Sequence, residues 1–568
     1  MAMRFLALAA DYDGTLAHDG RVDEATLDAL RRFNESGRKL LMVTGRELED
    51  LKRVFSHLDL FRLVVAENGA LLYDPHSQSE RVLAPAPPPA FCEELKRRNV
   101  PIGPGKSIVA TNHPHETTVL EVIREMGLEL QVIFNKGSVM VLPSGINKGS
   151  GMQVALKEMG LSAHNVIGVG DAENDHAFLS TCECSVAVAN ALDSVKERCD
   201  LVMESPRGAG VVELVRRVLK DDLESAREQL KRHSILLGEN EQGEKIGIEP
   251  YGPSVLISGP SGSGKSSALT GMLERINEAG YQFCLIDPEG DYEDFEGAVN
   301  TGDAERPPSV KELLAMLDNF QNVVVNLLGI ALNDRPGFLA QLLPQLQERR
   351  TQFGRPHWLV VDEAHHLLPD SWQPAPVAIP QQLYSTVFVT VHPDHVSRAA
   401  LRTVGAVLAI GAEPGKTLKD FAERADIELP GDGGEVKLEK GQALAWLREG
   451  ERPFVLNVEP GKIDRRRHRR KYAEGDIKEK SFVFRGPEGK LNLRAQNLAI
   501  FIQMAQGVDE DTWQHHLQQH DYSTWIREAI KDKHLAEEVE QIENEKLAAK
   551  ESRDQVIAAI EKQYTSAA

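Results

Sequence analysis

Asp11 and Asp13, in the stretch Asp11-Tyr12-Asp13-Gly14-Thr15, stand directly after the apolar run Phe5 to Ala10. Two carboxylates one residue apart on a loop face the same space, and there one can attack while the other donates a proton. Phosphoryl transfer suits such a pair, provided that positive charge is near, because the group in flight spreads negative charge over its equatorial oxygens. The chain offers partners in like settings. Thr44-Gly45-Arg46 follows Lys39 to Val43, Asn147-Lys148-Gly149 opens a helical stretch, and Asp171-Ala172-Glu173-Asn174-Asp175 follows Val166 to Gly170. Ligands of open α/β sheets bind at the carboxyl ends of the strands, and these groups fall at strand ends or helix starts.

A second set lies near the middle of the chain. The run Ser254 to Ser258 leads into Gly259-Pro260-Ser261-Gly262-Ser263-Gly264-Lys265-Ser266, and Ala268 to Leu273 continues as a helix. Strand, glycine-rich loop and helix in that order form the P-loop pattern. Glycines let backbone N–H groups approach a phosphate, and the helix adds its positive end. The expected ATP-binding residues are Gly259, Ser261, Gly262, Ser263, Gly264, Lys265, Ser266 and Ser267. Lys265 is expected to neutralise the β- and γ-phosphates and Ser266 to hold magnesium. Asp362-Glu363, after Trp358 to Val361, has the form of a Walker B motif. Asp362 is expected to orient the magnesium shell through Ser266, and Glu363 to polarise an attacking water, which favours hydrolysis over transfer to a metabolite.

The elements that must position these residues follow from the apolar pattern. Alternating strands and helices imply parallel sheets. In the first part the sheet continues through Leu63 to Gly69. A proline cluster, Pro85 to Pro89, marks a boundary, and a small α/β insertion runs on to about Val141. There Val119 to Met126 reads as a helix and Val139 to Leu142 as a strand, with Asn112, His113 and His115 either substrate selectors or turn residues. Asp221 to Arg232 reads as a charged helical connector. In the second part, strands are expected within Tyr281 to Tyr292 and at Val323 to Leu327, Trp358 to Val361, Thr386 to Val391 and Val404 to Ile410, and a helix at Pro336 to Gln352. The C-terminal part carries one dense basic run, Arg465 to Lys471, which can meet nucleic acid, an acidic subunit or solvent. Beyond it come an amphipathic helix, Leu491 to Met504, and a helical unit, Glu510 to Ala529, whose Trp513, Tyr522 and Trp525 suit a core. A charged helix from Leu535 onward is left for subunit contacts or fraying. The boundaries are 1–217, with the insertion at about 84–144, a linker at 218–233, then 234–460 and 461–568.

The four motifs of the first part resemble, in order, those of the haloacid dehalogenase superfamily of phosphatases, most closely its Cof-type and sugar-phosphatase branch. The resemblance implies a Rossmann-like domain with a small α/β cap that covers the site and selects the substrate. It implies Asp11 as nucleophile, forming an aspartyl-phosphate, and Asp13 as acid and then base. Thr44 and Lys148 would hold the phosphoryl group. Magnesium would bind Asp11, the Asp13 carbonyl and Asp171, with Asp175 in support. The second part resembles the HerA and FtsK branch of RecA-like ATPases, through Ile235-Leu236-Leu237-Gly238, Ile286-Asp287-Pro288-Glu289-Gly290-Asp291-Tyr292 and Asp362-Glu363-Ala364-His365. That likeness implies ATP and magnesium at a subunit interface of a homo-oligomer, a hexamer by preference, with Arg398 and Arg402 either within reach of a neighbour's nucleotide or, as is commoner for single arginines, in surface salt bridges. Where that branch carries a glutamine sensor, this chain has Thr390-Val391-His392-Pro393.

The 568 residues are enough for three or four domains, and 41% hydrophobic residues supply their cores. A formal net charge of −21 argues against a mainly electrostatic grip on nucleic acid, although the local basic run keeps nucleic acid among the partners considered. Five cysteines, an odd number in a long chain, suit reduced thiols in a cytoplasm. No apolar run of about 18 residues marks a membrane span. The expected function is a magnesium-dependent phosphomonoester phosphatase, acting on a small substrate such as a sugar phosphate, fused to an ATP-hydrolysing HerA-like domain. Two rivals are a kinase–phosphatase pair acting on one metabolite or nucleic-acid end, and a nucleotide-switched interaction protein.

Overall fold

Apolar runs flanked by polar loops build the first sheet. In spatial order its eight strands are Leu201–Val202, Cys184–Ala187, Val166–Gly170, Ala7–Ala10, Lys39–Val43, Leu63–Ala66, Leu71–Asp74 and Ser79–Val82. The first six run parallel, and the hairpin 71–82 closes the edge antiparallel. The central strands are buried on both faces, as continuous Val, Leu and Ala runs require. This computed structural model describes residues 3–561 other than 136, 231, 371–383, 432–435, 449, 451, 463–480, 531 and 546. The basic run Arg465 to Lys471 lies outside the described residues. The chain divides into two compact units, Met1–Lys265 with Arg275–Val458, and Ser266–Glu274 with Glu459–Ala568.

The insertion is a four-stranded antiparallel sheet, in the order Gly103–Pro104, Val109–Asn112, Ser138–Pro143, Leu130–Asn135. Helices Pro89–Arg97 and Glu116–Glu125 pack on it through Phe91, Leu95, Val119 and Val122. The second large sheet has eleven strands. Its parallel centre runs Val404–Ala409, Ser254–Ser258, Thr386–Thr390, Trp358–Val361, Phe283–Asp287, Asn322–Asn326, Ala298–Thr301. Alternation alone implies only this parallel part. An antiparallel wing of Gln442–Leu447, Phe454–Val458, Ile235–Asn240 and Lys245–Ile248 extends it, in which Ile235–Asn240 and Lys245–Ile248 form a hairpin, as their short connection allows.

Three expectations are corrected. Asp221 to Arg232 is no free helical connector. Helix Arg207–Asp221 overruns residue 217 and stops at two left-handed residues, Asp222 and Leu223, before a 3-10 turn, Glu224–Gln229. The Asp222 carboxylate accepts from the Arg4 N–H at 2.6 Å and from Arg38 at 2.8 Å, and Leu223, Ala226 and Leu230 join the first core. In the second unit, the helix expected from Leu491 starts only at Leu498, where Asn497 caps the Ile500 N–H at 2.8 Å. Before it, Leu493–Ala495 pairs with Phe482–Phe484 as a hairpin. The helix expected from Leu535 is two helices, Lys533–Asn544 and Ala549–Ile560, whose Leu535, Val539, Val556 and Ile560 are buried in the unit's own core. Their apolar face is therefore used within the unit rather than left for assembly. Trp513 and Tyr522 stack at 4.3 Å in that core, and Trp513 Nε1 donates to Ser552 Oγ at 3.0 Å. No described helix is long and apolar enough to cross a membrane.

Within the first unit a buried polar and aromatic cluster joins the two large sheets. The Glu183 carboxylate accepts from Arg4 at 2.8 Å and from the Tyr281 hydroxyl at 2.7 Å, and His164 Nδ1 lies 2.8 Å from it. His164 Nε2 is 2.9 Å from the Ala279 carbonyl, its ring stacks on Tyr281 at 3.7 Å, and Tyr251 donates to the His164 carbonyl. His164, Glu183 and His233 are close enough to share a cation, but these contacts already engage Glu183 and both His164 nitrogens. Burial pushes the Glu183 carboxyl up, yet His164 and Arg4 outweigh it and bring it down to about 2. A depressed carboxyl stabilises the fold fully above its ordinary value of 4.5, and that contribution fades as pH falls toward 2. Glu183→Ala, which strands buried partners, is expected to cost about 3–5 kcal/mol. Thermal unfolding of the full chain checks this. The gap between variant and wild type should be wide at pH 7 and narrow below pH 4.5, and a gap that is absent or independent of pH contradicts the account.

Candidate active sites

Asp11, Thr44 and Asp171 follow three strands that pair in parallel, so all three leave the sheet at the same edge. Lys148 comes from elsewhere. Asn147 and Ser150 form a reciprocal cap, each side chain taking the other's backbone N–H at 3.0 Å, and this starts the helix Lys148–Met159 at the lysine. That helix reaches the sheet because Gly151 and Gly69 meet backbone to backbone. A Cβ on Gly151 would lie 2.5 Å from Gly69 Cα. Lys148 is thereby buried, and its Nζ lies 2.5 Å from Asp11 Oδ1 and 2.5 Å from Asp175 Oδ1. The other oxygen of Asp175 accepts the backbone N–H groups of Asp171 and Ala172, both at 2.9 Å, which fixes the turn after the strand Val166–Gly170.

Asp11, Asp171 and Asp175 are buried, with carboxylate oxygens within 4.8 Å of one another. Burial, then Asp175 and Asp171, push the Asp11 carboxyl up to about 8 against the pull of Lys148. Burial opposes the charge on Lys148, but the two aspartates raise it. Three carboxylates facing one lysine leave an excess of negative charge in a dry site, and a divalent cation fits that donor set. Thr44 is fully buried, and its Oγ1 accepts the Arg46 N–H at 3.1 Å.

Two side chains escaped the sequence reading. Arg46 grips the Asp13 carboxylate with Nε and one terminal nitrogen, both at 2.7 Å, and also reaches Asp50 at 2.5 Å. The Thr-Gly-Arg run was visible in the sequence, but not the 33-residue reach of its arginine. Asn190 donates to the Gly14 carbonyl at 2.9 Å and lies 3.4 Å from Asp171 Oδ2, bridging two loops. No local pattern marks it. The cap is tied down by Glu67, buried and at positive φ, whose carboxylate accepts from Lys106 N–H at 3.0 Å and Ser107 N–H at 2.7 Å. Ile108, Leu142, Ile133 and Met140 of the cap cluster with Ala70 and Ile146 of the core, and Asn68 Nδ2 reaches Met140 Sδ. Of the expected selectors, Asn112 and His113 are exposed, and His113 pairs with Glu116 at 2.8 Å in the turn.

In the second sheet, Gly259 leaves the strand Ser254–Ser258 against Ile410, whose carbonyl would lie 1.9 Å from any Cβ there. Gly262, Ser263 and Gly264 complete the turn, and Lys265, Ser266 and Ser267 open the helix Lys265–Glu278. Lys265 Nζ donates to the Gly259 and Pro260 carbonyls at 2.9 and 3.1 Å. Ser261 is exposed, and Ser263 Oγ is buried without a hydrogen-bond partner. Asp362 and Glu363 follow the strand Trp358–Val361, two places from Ser254–Ser258 in the sheet. Burial, then Glu363, push Asp362 up to about 8. Burial also raises Glu363 and lowers Lys265. This set can hold a polyphosphate against a lysine with two carboxylates opposite. Arg398 and Arg402 instead face Asp426, at 3.8 and 2.7 Å.

The chain matches the haloacid dehalogenase-like hydrolase family over residues 8–101 and 106–215. It is 30% identical to a phosphoglycolate phosphatase of Methanothermobacter thermautotrophicus, over 38% of this chain and 98% of that protein. It is also 30% identical to phosphoglycolate phosphatase 2 of Saccharolobus solfataricus, over 38% of this chain and 92% of that one. A haloacid dehalogenase-like hydrolase from Bacteroides thetaiotaomicron, a solved structure, is 18% identical over 38% of this chain and 99% of its own, with a TM-score of 0.35. Through its first two hundred or so residues, the chain belongs to the haloacid dehalogenase-like hydrolases.

Proposed function

We propose that the chain is a magnesium-dependent phosphatase of small phosphomonoesters, joined to an ATP-hydrolysing P-loop domain of HerA-like type. The observation that carries the first half is the buried set of Asp11, Lys148, Asp171 and Asp175 at one sheet edge. An Asp11 oxygen attacks phosphorus, the bond from phosphorus to the leaving oxygen breaks, and Asp13 supplies the proton that this oxygen takes. In the second step Asp13 takes a proton from water, the water oxygen bonds to phosphorus, and the aspartyl-phosphate breaks to free Asp11 and inorganic phosphate. Arg46 keeps Asp13 aimed through its two-point grip. Lys148 and Thr44 hold the equatorial oxygens. Magnesium held by Asp11, the Asp13 carbonyl and Asp171, with Asp175 in support, would offset the charge on the transferring group.

The substrate proposed is compact, with phosphoglycolate first and small sugar phosphates next. The named relatives are phosphoglycolate phosphatases, and the cap's Ile133 and Met140 cluster with core residues rather than framing a long polar groove. In the P-loop half, Lys265 and the loop residues bind the phosphates of ATP, Ser266 and Asp362 serve magnesium, and Glu363 activates water. That reading carries with it a homo-oligomer, a hexamer by preference, in which Arg398 or Arg402 must leave Asp426 to reach a neighbour. The free thiols of all five cysteines accord with a cytoplasmic setting.

Phosphate release from phosphoglycolate, sugar phosphates, nucleotides and phosphorylated DNA ends, with and without ATP, tests the reading. Small monoesters should be preferred by at least about tenfold in kcat/KM, and chelation of magnesium should stop release. Preference for a DNA end, or turnover untouched by a chelator, counts against it.

A further inference from the structure

The turn after Asp362 and the end of the strand Thr386–Thr390 share a short polar chain. Glu363 lies in the left-handed region, at φ 42°, and its Oε2 is buried and accepts no hydrogen bond. His365 Nδ1 lies 3.4 Å from that oxygen and 3.1 Å from Thr390 Oγ1. The Thr390 hydroxyl accepts the His392 N–H at 3.1 Å and lies 3.3 Å from the His392 carbonyl. Burial, followed by His366, His392 and His395, pushes the His365 imidazole down to about 4, so the ring is neutral and has one N–H. A carboxylate only accepts, so the nitrogen that faces Glu363 must carry that hydrogen if the two are to bond. One hydrogen then has two acceptors within a small rotation, the Glu363 carboxylate and the Thr390 hydroxyl.

We propose that His365 is a positioning residue for Glu363, moving its single Nδ1–H between Thr390 and the Glu363 carboxylate and so linking that carboxylate to the loop at His392. The inference rests on the ATPase reading and adds to it a means of control. With the hydrogen on Glu363, the carboxylate is held in the orientation from which it meets water. With the hydrogen on Thr390, Glu363 is released from that hold and its aim is lost. Because the same hydroxyl holds the backbone at His392, a shift of the loop 391–395 changes which acceptor the imidazole meets.

The test uses the full chain with magnesium and ATP, and compares wild type, His365→Ala, His365→Asn, His365→Gln and Lys265→Ala. Turnover gives kcat, and a non-hydrolysable ATP analogue gives Kd. His365→Ala should lower kcat by about 10- to 100-fold while Kd stays within about twofold, since a misaimed base costs rate rather than binding. Asparagine places an N–H near the position of Nδ1 and should restore most of the rate, whereas glutamine, which mimics the other nitrogen, should not. Unchanged kcat in His365→Ala, a Kd that weakens in step with kcat, or an asparagine variant no better than alanine overturns the inference alone. A wild type that binds no ATP analogue, or binds it as well with Lys265→Ala, overturns the nucleotide reading and the inference together.

Discussion

Asp11→Asn loses aryl phosphate and phosphoglycolate hydrolysis by about four orders of magnitude or more, and the protein remains folded. The amide keeps the shape of the carboxyl but has no electron pair able to form a stable ester with phosphorus, so both chemical steps stop together. Folding survives for an electrostatic reason. Asp11 is one of three buried carboxyl groups, and Lys148 bonds two of them, Asp11 and Asp175. Burial and its acidic neighbours push the Asp11 carboxyl up to about 8, so a neutral amide there adds no charge imbalance, while Lys148 keeps Asp175 at 2.5 Å. The melting temperature measured without magnesium should therefore match or exceed that of the wild type. ATP turnover should be unchanged, since Asp11 and Lys265 lie at different sheets. A burst of one leaving-group alcohol per chain, released ahead of inorganic phosphate in rapid-quench experiments on the wild type and absent in the variant, would identify the covalent step. Steady hydrolysis by Asp11→Asn at a wild-type rate contradicts the assignment of the nucleophile.

The sequence made the strand ends legible because each reactive residue follows an unbroken apolar run. Asp11, Thr44 and Asp171 needed only the rule that parallel strands present their carboxyl ends together, and the P-loop needed only its glycines. Contacts made across long sequence separations stayed hidden. Arg46 meets Asp13 through a guanidinium that spans two loops. Asn190 bridges Gly14 and Asp171 from a segment with no pattern of its own. Glu67 holds the cap with a carboxylate that reads, in sequence, as an ordinary acidic residue before a turn. The joint between the sheets was invisible for the same reason. Arg4, His164, Glu183, Tyr251 and Tyr281 are scattered over most of three hundred residues and acquire meaning only when folded. Periodicity misled where tertiary packing prevailed. Leu493–Ala495 has helix-forming neighbours, yet it pairs as a strand because Asn497 supplies a cap that delays the helix.

Glu363→Gln should bind ATP as tightly as the wild type and turn it over about 10²- to 10⁴-fold more slowly, the range set by loss of a positioned general base. The carboxylate occupies a position suited to that task. Its backbone is at φ 42°, a conformation disfavoured for a side chain of this size, which the surrounding fold must hold. Burial raises its pKa, and Lys265 opposes that rise. Glutamine has the same length and imposes the same backbone demand, so the substitution changes proton affinity and charge with little effect on shape. Lys265→Ala is the complementary change. It removes the cation opposite Asp362 and Glu363, so ATP binding itself should weaken by at least about 100-fold, as expected when one fully charge-assisted phosphate contact is lost. Measuring analogue affinity and turnover in both variants separates the two roles. Tight binding without hydrolysis in Glu363→Gln and weak binding in Lys265→Ala is the expected pair. Full ATPase activity in Glu363→Gln would show that water is activated by another group. Phosphatase activity retained in both variants would show that the chemistry at Asp11 does not require nucleotide turnover at Lys265.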